Sequence, residues 1–532
     1  MPEEPEGHAD VDAADLRLNV TAEALVARAR RDAADKAVQV ETLATLAAIG
    51  AFEHGVDLAH AALSKFPESP AVNLAALQIF TALKDRAAAA DTAGLLCRHR
   101  PDSPGAWQRW AIHATAAGRH ADARVAFKAA LAQAPRAAIL WNGLADAAIQ
   151  CGDLAEAEAA LRQSLTLEAG QAPPAGQLGR LLMKRGALGE AEEWMERSIA
   201  SDPTLTAVHV NLAAVRLRLK RPHAALAAAA EAVRLAPNLA GAHAIYGQVL
   251  VEIGRYAQAR TSFRIALACD PANAEAAYGL ARALAKSGHP DQAVAAADAY
   301  LALRPNDAQA AHMRRAWARE RVTSAPDDYI RTLFDGVADQ FDAHLEGALA
   351  YDAPQRAAAL LKEIYPAPDH FRKLCDIGCG TGLMAKALAD HYAIPECVGV
   401  DLSPRMIAQA RTKSLYSELI AGEGVATLAR MDRSFDLITA LDMLIYVGDA
   451  GPFMREAARR LARGGALALS LETADDIADV RLELTARFSH NKAHVIAQAQ
   501  KEGLCLARGI DVTLRREGGA DVKGYIAVFE RR

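Results

Sequence analysis

The chain has 532 residues, of which 52% are hydrophobic, 23% charged and only 5% aromatic, with a formal net charge of -5. At roughly 150 residues per domain this is three or four domains' worth of chain, unless repeats merge several shares into one body. The apolar surplus is carried largely by alanine, which suits crowded helix–helix contacts, and the acidic balance offers no long basic face for phosphate, so a nucleic-acid partner is not expected.

Residues 1–35 open with MPEEPEGHADVDAAD, which is acidic where an export signal is basic and then apolar, and this stretch reads as a partly disordered N-terminal segment. Apolar runs along the whole chain are broken by charges well short of the ~20 residues that a membrane span needs, so no membrane association is expected. Seven cysteines (97, 151, 269, 375, 379, 397 and 505) form no CxxC pair and accompany no histidine cluster. They predict a reducing, cytoplasmic setting and no bound metal.

Prolines then stand at 67, 101, 135, 203, 237, 271 and 305, each 34 residues from the next except for one gap of 68 centred on Ala169. Within the period, the register from 104 to 137 has Trp107, Trp110, Gly118, Ala123, Phe127, Ala130 and Pro135, and the one from 240 to 273 has Tyr246, Gly247, Gly254, Tyr256, Ala259, Phe263, Ala266 and Pro271. Small residues let two antiparallel helices approach, large ones fill the gaps, and proline opens the turn because it cannot continue a helix. This spacing resembles the tetratricopeptide repeat (TPR). About eight repeats cover 36–305, and residues 306–326 supply a capping helix, roughly Ala308 to Arg321, and a linker. The resemblance implies an all-α superhelical solenoid whose concave face holds a protein or peptide partner; a rigid spacer or a self-association surface stays open as the alternative. Asn142, Arg180, Asn211, Gln248 and Arg282 should point inward, yet they form neither a carboxylate clamp nor an asparagine ladder. The five tryptophans (107, 110, 141, 194 and 317) sit at packing positions and read as core.

After Ala325-Pro326 the pattern changes. Apolar runs at Leu374 to Gly378, Cys397 to Leu402, Phe435 to Ala440 and Gly465 to Leu471 alternate with helix-length segments, which predicts a parallel sheet covered on both faces. Two further runs, Leu506 to Leu514 and Val522 to Glu530, flank the turn signal Arg516-Glu517-Gly518-Gly519 and predict an antiparallel hairpin.

The loop after the first strand reads Asp376-Ile-Gly378-Cys-Gly380-Thr-Gly382, where glycines let backbone approach a ligand and the next helix offers free amides. The third glycine comes one place early for a dinucleotide fold. Asp401, in Val398-Gly-Val-Asp401-Leu-Ser403-Pro404-Arg405-Met406, ends the second strand, where a carboxylate can accept both hydroxyls of a ribose. Residues 327–532 thus resemble a class I S-adenosylmethionine (SAM)-dependent methyltransferase, with a Rossmann-like α/β fold of seven strands. The resemblance implies that Asp376, Gly378, Gly380 and Gly382 line the methionine portion of SAM, that Asp401 binds the ribose, that Leu402 and Met406 flank the adenine, and that Glu423 accepts from the adenine amino group. Met406 as ordinary core and Glu423 as a solvated loop charge are the alternatives.

Tyr329 to Pro354 is similar to the N-terminal helices that small-molecule methyltransferases fold over the cofactor. Phe341 and Asp342 take the lid position, with Tyr351 on the same cavity; alternatively Phe334 and Phe341 are the apolar stripe of a linking helix. With the tail Arg515-Arg516-Glu517-Gly518-Gly519, the whole resembles bacterial TPR-fused methyltransferases. No Asn/Asp-Pro-Pro-Tyr signature or Pro-Cys nucleophile names the acceptor. Asp442 and Tyr446 after the fourth strand, and His490 after the fifth, are the catalytic candidates, His490 being the better proton acceptor near neutral pH. A SAM-dependent methyltransferase with recruiting repeats is the leading expectation; a small-molecule methyltransferase with self-assembling repeats and a non-catalytic scaffold are the others.

Overall fold

The computed structural model describes residues 8–343, 351–517 and 520–532. The fold is an all-α TPR array followed by a Rossmann-like α/β domain, and the chain divides into two compact units, 1–249 and 250–532.

The first unit starts with a helix over His8–Arg31, in which Ala22, Val26 and Ala29 are buried with the first repeats. Six helix hairpins follow between Lys36 and Leu235. Some of the helices start on polar caps: Ser103 Oγ accepts from Ala106 N at 3.3 Å, and Asp153 Oδ1 from Glu156 N at 3.1 Å. Packing is close enough that a Cβ on Gly143 would stand 2.2 Å from Phe127 Cζ. Trp107, Trp110, Trp141 and Trp194 are half-buried against this core, and two of them do more than pack. At the slot six residues after five of the seven prolines, a side-chain donor reaches back to the proline carbonyl: Asn73 to Pro67 (3.1 Å), Trp107 to Pro101 (2.7 Å), Trp141 to Pro135 (2.8 Å), His209 to Pro203 (2.9 Å) and His243 to Pro237 (2.9 Å). Three residue types thus satisfy the same carbonyl, which the turn leaves without a helical partner.

The second unit opens with the end of the helix Ala240–Glu252, then Tyr256–Cys269, the hairpin Ala274–Lys286 and Pro290–Leu303, and the capping helix Ala308–Trp317. Trp317 is buried there against Ala281, Leu284, Ala293 and Ala297.

The sheet contains β1 (Lys373–Ile377), β2 (Glu396–Asp401), β3 (Glu418–Ala421), β4 (Phe435–Ala440) and β5 (Leu461–Glu472), all parallel. A small antiparallel ribbon, β6 (Val480–Leu482) with β7 (Phe488–His490), stands apart, and β8 (Leu504–Glu517) and β9 (Ala520–Arg531) complete the sheet as an antiparallel pair. Strand order is β3-β2-β1-β4-β5-β9-β8. Alternate residues of each strand enter two cores: Cys375, Ile377, Val398 and Val400 face Phe453, Met454 and Val495, whereas Leu374, Cys397 and Leu437 face Leu361, Met384 and Leu388. The order reverses between β1 and β4, so a crevice opens at their carboxyl ends.

Candidate cofactor and acceptor site

At that switch point the chain after β1 turns sharply. Gly378, Gly380 and Gly382 have φ of 71°, 53° and 93°, a region that side-chain-bearing residues enter at a cost. The turn is held by Gly378 N and Cys379 N, which donate to Val400 O at 2.8 and 3.0 Å. A Cβ on Gly378 would come within 3.2 Å of Met443 Cβ, and one on Gly382 within 3.0 Å of Tyr416 Cε2. The cradle therefore has room for backbone and ligand but not for side chains.

Two carboxylates flank the cradle. Asp401, at the end of β2, is half-buried; Oδ2 accepts from Gly380 N and Oδ1 from Ser403 N, both at 2.8 Å. Burial raises its pKa above the usual carboxylate range, against the pull of these amides, and nearby Asp335 raises it further. Asp376 is fully buried and accepts from Thr439 Oγ1 at 2.6 Å and Tyr416 OH at 2.7 Å. Burial pushes its carboxyl up to about 6, with the two hydrogen bonds pulling the other way and the charge of Asp401 adding to the rise.

The remaining expected cofactor residues surround the same loop. Leu402 is half-buried beside Asp401, and Met406 is buried in the helix Pro404–Thr412. Glu423 follows β3, but both its oxygens are engaged as a helix cap, Oε1 on Val425 N at 2.9 Å and Oε2 on Ala426 N at 2.5 Å. An adenine amino group would have to share a carboxylate already held by those amides.

On the β4 side the backbone takes φ of 52° at Asp442. Its amide donates to Ser470 Oγ at 2.8 Å, and its carboxylate accepts from Ser470 Oγ at 3.1 Å and from Arg515 Nη1 at 3.4 Å. Tyr351, itself buried, hydrogen-bonds the same carboxylate. Burial raises the Asp442 pKa and Arg515 opposes it. Arg515 also pairs with Glu472, which in turn lies 3.4 Å from Arg487 Nε. Tyr446 is buried with its ring edge-on to Phe334 at 5.6 Å.

His490 stands against the loop after β4. The sequence between β5 and the helix Lys492–Lys501 holds the β6–β7 ribbon rather than a loop, so His490 ends a strand, is 1% exposed, and directs Nε2 at Leu444 O, 3.0 Å away. Burial lowers its pKa, and a neutral ring donating to that carbonyl braces the loop after β4. Sequence reading missed Tyr416, Thr439, Ser470 and Glu472, because Tyr416 precedes β3, Thr439 lies on β4 and Ser470 and Glu472 lie on β5, and no spacing links them to their partners. Among the described residues, no three His, Cys, Asp or Glu side chains gather as a metal set, and no helix is long and apolar enough to cross a membrane.

Comparison with known proteins agrees with this geometry. Residues 375–469 match the family described as "Methyltransferase domain", and 114–165 and 246–308 match "Tetratricopeptide repeat" families. This chain joins tetratricopeptide repeats to a methyltransferase domain. Among similar proteins are the biotin biosynthesis bifunctional protein BioCD of Bordetella avium, 29% identical over 240 residues (39% of this chain, 50% of that protein), and the ubiquinone biosynthesis O-methyltransferase of Idiomarina loihiensis, 34% identical over 105 residues (19% and 42%). The chain thus spans half or less of the length of these curated relatives. A solved TPR protein, YrrB, is 22% identical over 36% of this chain and 97% of its own, with a TM-score of 0.32.

Proposed function

We propose that the domain formed by about residues 327–532 transfers a methyl group from S-adenosylmethionine, and that the repeats over about 36–305 recruit a protein partner or a protein-borne acceptor. The observation that carries the cofactor reading is Asp401, fixed by Gly380 N and Ser403 N at the mouth of a cradle of three left-handed glycines. That arrangement offers a carboxylate for ribose hydroxyls and a surface free of side chains for the methionine portion. Leu402 and Met406 are the residues this reading puts beside the adenine.

Bound SAM supplies an electrophilic methyl group. The protein's share is to hold a nucleophile in line and, where the acceptor carries a proton, to take it. Asp442 is the residue this reading gives that task, since it precedes Met443, whose side chain a Cβ on Gly378 would meet, and burial raises its pKa. Tyr351 and Ser470 orient it. Tyr446 lines the same side through its ring. The seven unpaired cysteines fit a reducing cytoplasm.

Calorimetry of the full chain with S-adenosylhomocysteine tests the cofactor reading, and absence of binding would sink it. Asp401→Ala should weaken binding by about tenfold to a hundredfold, the worth of hydrogen bonds to a charged group, with an unchanged circular dichroism spectrum. Equal affinity would remove Asp401 from the site. Labelled methyl transfer into a lysate, with protein separated from small molecules, then identifies the acceptor class.

A further inference from the structure

The segment Asp327–Asp342 joins two places that the site description leaves separate. It runs as a helix over Asp327–Val337 and a single 3-10 turn over Ala338–Gln340 before Phe341 and Asp342. Its first turn is anchored beside the capping helix. Tyr329, buried, packs its ring at a tilt against His312 with centroids 4.8 Å apart and meets the Tyr446 ring at 6.5 Å. His312 is fully buried and directs Nε2 at Ala486 O, 3.0 Å away. Just before the segment, Ala325 N donates to Tyr446 O at 2.9 Å, and Thr323 O accepts from Gly448 N at 2.8 Å. One apolar cluster therefore contains Ala316 of the capping helix, Tyr329, and Ile445 and Tyr446 of the loop after β4.

Its far end grips both loops of the proposed cofactor site. Asp335 accepts from Ser403 Oγ at 2.5 Å, and the same Ser403 donates its amide to Asp401. Asp342 accepts from Thr381 Oγ1, within the glycine turn, and pairs with Lys413 Nζ at 2.6 Å. Asp339 adds an ion pair to Arg405 and accepts from Gln409 Nε2 at 3.1 Å. A Cβ on Gly380 would meet Phe341 Cε1 at 3.8 Å, so the aromatic ring stands over the turn.

We propose that this segment is a strap that couples the last repeat helix to cofactor retention: Tyr329 fixes its base on the capping helix, and Asp335 and Asp342 position Ser403, Thr381 and so the two cofactor loops. The proposal rests on the SAM reading and adds to it the claim that a contact on the repeat side, outside the two cofactor loops, sets the rate at which cofactor leaves. Elements with two arrangements, here strap latched and strap released, are what allow one region to bias another. The latch consists mainly of carboxylates with partly exposed partners, so it is weak enough to open during turnover and sensitive to salt.

Stopped-flow release of S-adenosylhomocysteine from the full chain tests it. Lys413→Met should speed release about fivefold, the scale of one partly exposed ion pair, while Lys413→Arg restores the native rate. Native release should accelerate with ionic strength, and Lys413→Met should lose most of that dependence. Tyr329→Leu touches neither cofactor loop, yet it should also speed release, and the double variant should be no faster than the faster single one, because each frees the same strap. His312→Phe, which keeps the ring and removes the bond to Ala486, is the milder second variant and should shift release in the same direction. Unchanged release in both Tyr329→Leu and His312→Phe, or strictly additive effects with Lys413→Met, overturns the coupling. If the native chain binds no S-adenosylhomocysteine, the cofactor reading falls with it; binding with normal affinity and unaltered release in every variant overturns the strap alone.

Discussion

The repeat region and the sheet domain place polar groups in opposite ways. In the repeats one task recurs every 34 residues and several residue types perform it: asparagine, tryptophan and histidine all donate to the proline carbonyl six residues back. In the sheet domain buried polar contacts join residues distant in sequence that no period relates, as in Asp376 with Thr439 and Tyr416. Periodicity makes repeat contacts interchangeable, so loss of one is felt within its own hairpin. A unique contact has no substitute, and its loss reaches the site.

The largest expected effect follows from Asp376. Its folded pKa, about 6, lies above the ordinary value near 3.9 of an unfolded aspartate. The folded protein therefore holds this proton more tightly, and the group's contribution to stability is fully present below about pH 4 and is lost as pH rises through 6. A rise of that size corresponds to roughly 2–3 kcal/mol lost across the window. Asp376→Asn, which keeps the shape and removes the charge, should flatten the dependence of denaturant midpoint on pH between 4 and 6. An unchanged slope would mean that Asp376 is not the group responsible. Nothing comparable is expected of a carboxylate in the repeats, where Glu190 is held below its usual range by Arg162 in a partly exposed pair.

The same contrast explains what the sequence discloses. Proline spacing and the small residues at fixed slots report the repeats because geometry imposes the period on composition. The second task of Trp107 and Trp141 was hidden, since an indole that packs and an indole that also donates are the same letter. At the site, the glycine turn and Asp401 are legible because backbone conformation restricts their residue types. Glu423 stands in the expected loop, but its capping of the next helix depends on where that helix begins. His490 ends a three-residue strand that is too short to show alternation in the sequence, and its burial follows from that ribbon. Tyr416, Ser470 and Lys413 belong to the tertiary fold alone.

Within the repeats, Gly143 marks where redundancy ends. Other periods carry larger residues at its slot, including Ala75, Gln177 and Ile245, so alanine looks permitted by pattern. Local packing says otherwise, because the added Cβ would overlap the Phe127 ring, itself buried. Gly143→Ala should cost about 2 kcal/mol through overpacking, despite its better helix propensity. Urea unfolding of the full chain, read by protection of the hairpin around residues 120–150 in hydrogen exchange, checks this. A gain in stability would show that the ring moves freely and that the slot is as tolerant as its neighbours.

The smallest effect lies in the turns between paired helices, where the period is filled by Gly50, Gly118, Gly152, Gly186, Gly254 and Gly288, all with positive φ. Lys84 and Lys220 occupy the same slot with φ of 58° and 60°. The fold holds these lysines in the left-handed region, where a Cβ costs about 1–2 kcal/mol. Glycine removes that strain but adds freedom to the unfolded chain, which offsets roughly 0.5–1 kcal/mol of the gain. Lys220→Gly should therefore stabilise the chain by only about 0.5 kcal/mol, and Lys84→Gly by as much, with S-adenosylhomocysteine affinity unchanged. The two should add when combined, because positions four periods apart share no partner. A destabilising outcome at both would mean that the lysine side chains make compensating contacts, and the period would then tolerate residues by adaptation rather than by strain.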